Sequence, residues 1–291
     1  MREWGRLLTA MVTPFDRDMN VDYEKAVQLG KRIVEDGTTA LVVVGTTGES
    51  PTITDEEKYE LFKILKDRIN VPIIAGIGTN CTRATIETGK LAVKAKADGV
   101  LVVVPYYNKP NQQGLFAHFK AVAEAIELPM MPYNVPSRTG GNMEAETSIA
   151  LSKIPNIVAL KEASGNIDQI TRIIAGCSKD FLVYSGDDGF TLPTLSAGGY
   201  GVVSVAAQVA GRKIRDMIEA YVSGDTKKAA ELHQMLSPLF KALFVTTNPI
   251  PVKAALNLMG MDVGGLRLPL VEADDRVKEI LKREMSALGL V

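Results

Sequence analysis

The sequence TRATIETGKLAVKAKADGVLVVV, residues 82–104, joins two different patterns of apolar residues. Residues 82–99 carry apolar side chains at helical spacing beside a polar face, and Asp98-Gly99 is a typical helix end. Residues 99–104 are apolar almost without interruption, as in a parallel strand buried on both faces. The stretch therefore predicts a helix followed by a buried strand.

The same alternation continues to about residue 223. Other segments of helical period include 21–37 and 54–68, and Thr54 with Glu57 begins the second of them as a capping box. Strands are predicted at 7–12, 40–44, 72–77, 99–104, 129–134, 156–161, 181–185 and 201–205.

Eight such strand-helix units predict an α/β fold, the TIM (β/α)8 barrel. A doubly wound open sheet is the competing architecture, but the unbroken alternation favours the barrel. After residue 224 the strand pattern stops, and three helical segments follow. We therefore predict a barrel over residues 1–224 and a C-terminal helical extension over 225–291.

Composition excludes several classes of protein. The chain has 291 residues, 46% of them hydrophobic, and 33 basic against 34 acidic residues give a net charge of −1. This balance argues against a general affinity for nucleic acid or a membrane surface. The sequence lacks both the apolar core of a signal peptide and an apolar run of the ~20 residues that a membrane helix needs.

The cysteine and histidine content argues against a disulfide framework and a metal site. Cys81 and Cys177 are too few for such a framework, so we predict a reduced, cytoplasmic location. One disulfide between subunits stays open. His118 and His233 lie in helical patterns without metal-ligand spacing, so we predict no metal and a structural or surface role for both.

In a barrel of this type, function lies on the loops that follow the strands. These positions contain one lysine, several hydroxyl groups, one arginine and many glycines. They are Thr46 and Thr47 after the second strand, Tyr106 and Tyr107 after the fourth, Tyr133 and Arg138 at the fifth, Lys161 at the sixth, Gly186 after the seventh, and Val203 and Ser204 at the eighth.

Lys161 ends the apolar run IVALK, residues 157–161. A lysine at the mouth of an apolar barrel loses hydration, which lowers its pKa and favours the neutral amine. Neutral amines attack carbonyl carbons, so this position suits Schiff-base formation with an oxo substrate and needs no other cofactor. Tyr133 is available as a proton relay, and Arg138 as a bidentate partner for a substrate carboxylate.

Each residue also has a structural interpretation. Lys161 is compatible with a solvated barrel rim, and the tyrosines with packing. GTTGES (45–50) alone fits a simple turn, and Asp187-Asp188 resembles a metal pair but fits a turn with a helix cap. The placement of all candidates at one rim favours the functional interpretation.

Three motifs in order, GTTGES (45–50), YNVPSRTG (133–140) and KEASGN (161–166), resemble the dihydrodipicolinate synthase family. The resemblance covers essentially the whole chain. It implies a class I aldolase-like barrel that condenses pyruvate with L-aspartate 4-semialdehyde, in diaminopimelate and lysine biosynthesis.

The resemblance also implies the role of each site residue. Lys161 forms the imine with pyruvate, and Tyr133 moves protons through Thr47. The implied catalytic residues are Lys161, Tyr133, Thr46, Thr47 and Tyr107. The implied substrate-binding residues are Thr47, Val203 and Gly186, together with Arg138 for the carboxylate of the semialdehyde. Tyr107 is expected to reach a neighbouring subunit, which implies a homo-oligomer, commonly a dimer of dimers.

Two alternatives stay open. Sialic acid lyases and 2-keto-3-deoxy-sugar-acid aldolases share the lysine and a similar glycine turn, although Arg138 favours a short aldehyde that carries a carboxylate. A sensor that binds an oxo acid without turnover is the alternative from another class. The resemblance also bears on regulation: lysine-inhibited synthases carry an interface pocket with a histidine and a glutamate near the positions that Asp55, Lys58 and Ala84 occupy here. We therefore expect weak or absent inhibition by lysine.

Overall fold

The computed structural model describes residues 4–291, so residues 1–3 of the predicted barrel unit lie outside the described residues. Eight parallel strands form a closed barrel in sequence order. Each strand pairs with the next, and the eighth pairs with the first through Leu8 and Val203. The predicted (β/α)8 barrel is confirmed, and the doubly wound open sheet is excluded.

All eight predicted strands are present, and each is one or two residues shorter than predicted. In order, β1 to β8 are Leu7–Ala10, Ala40–Val43, Ile73–Gly76, Gly99–Val103, Met130–Asn134, Ala159–Glu162, Leu182–Ser185 and Gly201–Ser204. The largest difference is in β6, which begins at Ala159 rather than at 156 and continues past Lys161. Ile157 before it makes only an isolated bridge to Met130.

Twelve α-helices follow or extend the strands within the described residues. In order, α1 to α12 are Tyr23–Glu35, Asp55–Arg68, Thr82–Lys94, Gln112–Ala125, Pro136–Thr139, Ala145–Leu151, Ile167–Gly176, Thr191–Ser196, Ala207–Val222, Thr226–Ala242, Ile250–Leu258 and Asp275–Ala287. The Thr54 and Glu57 capping box at the start of α2 is present in both directions.

The last three helices pack against the barrel. Leu239 of α10, Leu256 of α11 and Leu281 of α12 are fully buried and belong to one hydrophobic cluster that includes the strands. Burial of such side chains favours folding by ~1.5–3 kcal/mol each. This packing is consistent with an extension of the barrel, and the division at residue 224 stays a prediction.

A buried ion pair also joins the extension to the barrel. Lys253 Nζ of α11 lies 2.7 Å from Glu49 Oε1, and both side chains are 1% exposed. The same ammonium donates to the Gly265 carbonyl at 2.6 Å and lies 4.0 Å from the centroid of Phe15. Burial lowers the pKa of Lys253 to about 8, and the nearby Glu49 opposes this shift.

We expect Lys253→Met to destabilise the protein by ~3–5 kcal/mol, because Glu49 would keep a buried charge without its partner. The free energy of unfolding in urea measures this loss. Lys120→Met is the matched control, since Lys120 pairs with Glu124 on the exposed face of α4. We expect no measurable change in the control. Equal stability of Lys253→Met and wild type would contradict the role given to the pair.

Candidate active site

Lys161 and Tyr133 lie side by side where β5 and β6 end. The strand register pairs them directly, and Lys161 Nζ is 4.1 Å from the centroid of the Tyr133 ring. Each residue is only 5% exposed. The barrel therefore holds a primary amine and a phenol together in a largely water-free position.

Burial lowers the pKa of Lys161 to about 7. The carboxylate of Asp188 raises the pKa and the guanidinium of Arg138 lowers it, but both effects are smaller than that of burial. Loss of hydration disfavours the ammonium form. A large fraction of Lys161 is therefore a neutral, nucleophilic amine near neutral pH.

The pKa of Tyr133 is shifted in the opposite direction, upward. Burial raises the pKa of its phenol to about 12, because the phenolate loses hydration. The phenol therefore stays protonated near neutral pH. It is placed to give a proton to a group on Lys161 and to take it back.

Hydrogen bonds on the outer face of β6 hold the strands that carry Lys161 and Tyr133. Glu162, next to Lys161, accepts hydrogen bonds from Asn134 Nδ2 at 3.1 Å and from the backbone N–H of Ser164 at 2.7 Å. Glu162 and Asn134 are themselves register partners of β6 and β5. The carboxylate therefore holds the two strands together one residue beyond the Lys161–Tyr133 pair.

The turn after β2 carries Thr46 and Thr47. Val44 and Glu49 at its two ends have positive φ angles of 57°. Gly76 of β3 gives the turn room, since a Cβ atom there would lie 2.3 Å from the Val44 carbonyl oxygen. The Gly48 N–H donates to the Gly45 carbonyl at 3.0 Å and closes the turn. Thr46 lines a cavity at this end of the barrel, whereas Thr47 is buried, 3% exposed, and lines neither of the two cavities described next.

Two adjoining cavities open at this end of the barrel. One has a volume of about 410 Å³ and is lined by residues that include Thr46, Tyr133 and Arg138. The second has a volume of about 390 Å³, shares Tyr133 and Arg138, and adds Gly186. A Cβ atom on Gly186 would lie 3.1 Å from Lys161 Cε, so Gly186 packs directly against the lysine side chain.

Arg138 lies in the short helix α5, on the border between the two cavities. Its side chain is exposed, and its Nη2 donates to the Asn248 carbonyl at 3.2 Å. Most of the guanidinium donors therefore remain available to a carboxylate.

The structure does not bring Tyr107 and Val203 to the walls of these cavities. Tyr107 is 87% exposed and has a positive φ of 74°, whereas its neighbour Tyr106 lines the first cavity. Val203 is fully buried within β8, paired with Leu8. The roles predicted for both residues stay predictions.

Sequence reasoning missed Asp188, which it interpreted as part of a turn. Asp187 does cap that turn, since its side chain accepts from the Gly189 N–H at 2.8 Å. Asp188 instead is buried and accepts from the hydroxyl of Ser204 and, at 3.0 Å, from the backbone N–H of Val205. Burial raises the pKa of Asp188 to about 6. The sequence separates these partners by 16 or more residues, so no local signal pointed to the contact.

Asn248 was also missed, although it contacts two of the predicted residues. Its Nδ2 donates to Thr47 Oγ1 at 2.9 Å, and its carbonyl accepts from Arg138. The only local signal is the Asn-Pro pair at 248–249, which marks a helix start and not a site.

Other predicted features lie apart from this rim or at its edge. Burial lowers the pKa of His118 to about 4, and its Nδ1 contacts the Thr82 hydroxyl. Cys81 is exposed and Cys177 half-buried, and both are free thiols within the chain. Lys58 lines the first cavity, and the expected weak response to lysine stays a prediction.

Residues 4–291 show neither a metal-holding cluster nor a helix that could span a membrane. They contain no group of three or more histidine, cysteine or acidic side chains placed to hold a metal ion. None of the helices formed by these residues has the length and apolarity needed to cross a bilayer.

Comparison with known proteins agrees with the geometry. The model of the dihydrodipicolinate synthetase family matches residues 3–288. A 4-hydroxy-tetrahydrodipicolinate synthase of Moorella thermoacetica is 52% identical, over 99% of this chain and all of its own length. A relative of the same name in Thermosynechococcus vestitus is 51% identical, over 100% of this chain and 99% of its own.

Solved structures give the same result. The dihydrodipicolinate synthase of Cyanidioschyzon merolae with lysine bound superimposes with a TM-score of 0.97 at 51% identity, covering 99% of both chains. The chloride-inhibited enzyme of Acinetobacter baumannii, complexed with pyruvate, gives 0.96 at 38% identity, covering 99% of this chain and all of the other. With its barrel, its buried lysine and these relatives, the chain belongs to the dihydrodipicolinate synthetase family.

Proposed function

We propose that this chain is a 4-hydroxy-tetrahydrodipicolinate synthase, which condenses pyruvate with L-aspartate 4-semialdehyde. The observation that carries the proposal is the buried Lys161 amine, with a pKa of about 7, beside the buried phenol of Tyr133. Relatives about 50% identical over their full length carry this enzyme name.

The reaction begins when the neutral amine of Lys161 attacks the keto carbon of pyruvate. Tyr133 supplies the proton with which the carbonyl oxygen leaves as water, and an iminium forms. Loss of a methyl proton to the Tyr133 phenolate then gives an enamine, because the iminium accepts the electron pair. In this mechanism the Thr46 and Thr47 hydroxyls would pass protons on from Tyr133, and Thr46 lines the same cavity as Tyr133.

The enamine carbon next attacks the aldehyde of the second substrate, and Tyr133 returns the proton to the aldehyde oxygen, which becomes a hydroxyl group. The amino group of that substrate then adds to the iminium carbon and displaces Lys161, which closes the ring and restores the free amine. Atoms and charges balance without any redox cofactor. The chemistry therefore needs only the side chains already at the rim.

Arg138 is the residue that favours this second substrate over a sugar-acid aldehyde. Its guanidinium borders both cavities, and a planar fork matches a carboxylate in two hydrogen bonds. Pyruvate would lie against Lys161 with Thr47, Gly186 and Val203 around it. A related Schiff-base aldolase is the second candidate, because it would use the same amine and phenol.

We also propose that the enzyme acts in the cytoplasm as a homo-oligomer. The support for the oligomer is Tyr107, whose ring is 87% exposed although it follows a site strand. An exposed aromatic ring of this kind suits burial against another subunit. Nearly equal numbers of acidic and basic residues support a small-molecule enzyme without nucleic acid or membrane partners.

Reduction with borohydride in the presence of pyruvate is expected to label Lys161, because reduction traps an imine as a stable amine. Mass mapping of the labelled peptide locates the adduct. Product formation is then measured with pyruvate and either aspartate semialdehyde or sugar-acid aldehydes.

Lys253, whose pKa is also lowered, serves as the internal control and is expected to stay unlabelled. An unlabelled Lys161 would rule out every Schiff-base function, and an adduct without turnover would indicate a sensor. Turnover with the sugar-acid aldehydes alone would indicate the related aldolases.

The pH dependence of kcat/KM for pyruvate is expected to follow the Lys161 amine. Since the pKa is about 7 and only the neutral form attacks, the rate rises about tenfold per pH unit well below 7 and levels off above it. A steady-state pH profile measures the midpoint. A midpoint near 10, the range of an ordinary lysine, would contradict desolvation as the cause of reactivity.

Mixing two inactive variants tests the role of Tyr107. We expect Lys161→Ala and Tyr107→Phe each to have little activity, and the mixture to recover activity after dissociation and reassembly. A hybrid then contains one site with an intact Lys161 and a Tyr107 from the other subunit. An equal mixture of Lys161→Ala and Tyr133→Phe is the control. Both residues belong to the site of a single chain, so every site in a hybrid lacks one of them. We expect this mixture to stay inactive. If the mixture of Lys161→Ala and Tyr107→Phe does not recover activity, Tyr107 does not contribute to the site of the neighbouring subunit.

A further inference from the structure

The segment before α11 touches the active-site turn at two points. Asn248 Nδ2 donates to Thr47 Oγ1 at 2.9 Å, and both residues are buried, 4% and 3% exposed. Five residues later, Lys253 pairs with Glu49 at 2.7 Å. The segment is therefore fixed against residues 47–49 of the turn, about 200 residues away in sequence.

The first contact sets the direction of the Thr47 hydroxyl. An amide NH2 group only donates, so it occupies an acceptor position of Thr47 Oγ1. Asn248 Nδ2 cannot accept a hydrogen bond, so the Thr47 hydroxyl hydrogen points away from it and is free to bind another acceptor. A carboxylate is an acceptor without a hydrogen to give, so a hydroxyl held in this way suits a substrate carboxylate.

The backbone of the same residue holds the other substrate-binding side chain. The Asn248 carbonyl accepts from Arg138 Nη2 at 3.2 Å. One residue thus contacts Thr47 through its side chain and Arg138 through its main chain. The two contacts can be separated by mutation, because a substitution changes the side chain and keeps the carbonyl.

We propose that Asn248 is a positioning residue for pyruvate: its side-chain amide orients the Thr47 hydroxyl as a donor to the pyruvate carboxylate. This inference rests on the proposed function. Asn248 lines the second cavity, and in this role it acts on pyruvate through Thr47.

The other end of the amide argues against a purely stabilising role. Asn248 Oδ1 is buried and has no hydrogen-bond partner among the described residues. A buried acceptor without a partner offsets much of what the Nδ2 hydrogen bond contributes to stability. Removal of the whole amide should therefore leave the stability of the fold close to that of the wild type.

The test compares the two substrates in Asn248→Ala. We expect KM for pyruvate to rise about tenfold, as for the loss of one hydrogen bond to a charged group, ~1.4 kcal/mol. KM for aspartate semialdehyde is expected to stay within about twofold, since the carbonyl that holds Arg138 is kept. The thermal midpoint serves as the readout for folding and is expected to change little.

A double-mutant cycle with Thr47→Val locates the effect. If Asn248 acts through the Thr47 hydroxyl, Asn248→Ala adds nothing to the loss already caused by Thr47→Val. In Thr47→Ser, which keeps the hydroxyl, Asn248→Ala is expected to have its full effect. Asn248→Asp reverses the hydrogen bond, because a carboxylate accepts the Thr47 hydrogen, and we expect it to raise KM for pyruvate at least as much as alanine does.

Three results would overturn the inference. They are an unchanged KM for pyruvate in Asn248→Ala or Asn248→Asp, an equal rise of KM for both substrates with a lower thermal midpoint, or additive effects in the cycle. Failure of the proposed function is distinguishable, because the wild type would then give neither an adduct on Lys161 nor product.

Discussion

The removal of the Lys161 amine from water is the constraint on which the site depends. A lysine in solution is charged and does not attack carbonyls, whereas burial in the barrel mouth lowers the pKa to about 7. The same burial opposes folding. Between that pKa and the ordinary lysine value the unfolded chain binds a proton that the folded chain releases, so this residue makes the fold less stable as pH falls through that range.

The surrounding structure offsets this cost. Glu162 and Asn134 join β5 and β6 on the outer face, and Asp188 joins the ends of β7 and β8. These buried polar groups are hydrogen-bonded, which is the condition under which burial of polar groups is tolerated. The strand ends therefore stay in register even though one of them carries a desolvated amine.

The barrel and its lysine could be predicted from the sequence because their signals are local. An unbroken apolar run that ends on Lys161 indicates both a buried strand and a shifted pKa within five residues. The prediction was wrong at the start of β6, where residues 156–158 have strand composition but make only an isolated bridge. A hydrophobic pattern indicates which residues are buried, whereas the number of residues that pair as a strand depends on the neighbouring strand.

Contacts between distant segments could not be predicted in this way. Asn248 meets Thr47 across 201 residues and Lys253 meets Glu49 across a similar distance, and neither pair has a signature in composition or spacing. The structure makes these contacts because the C-terminal helices pack over the rim.

That packing gives the appended helices a part in the site. A (β/α)8 barrel by itself supplies the amine, the phenol and the threonine turn from its strand ends. The Thr47 hydroxyl and the Arg138 guanidinium, however, are both hydrogen-bonded to Asn248, which lies beyond the eighth strand. Burial in the barrel controls the pKa of the Lys161 amine. If this segment orients Thr47 and Arg138 for substrate carboxylates, separate parts of the chain control the nucleophile and substrate recognition. Substrate choice can then change without loss of the buried lysine.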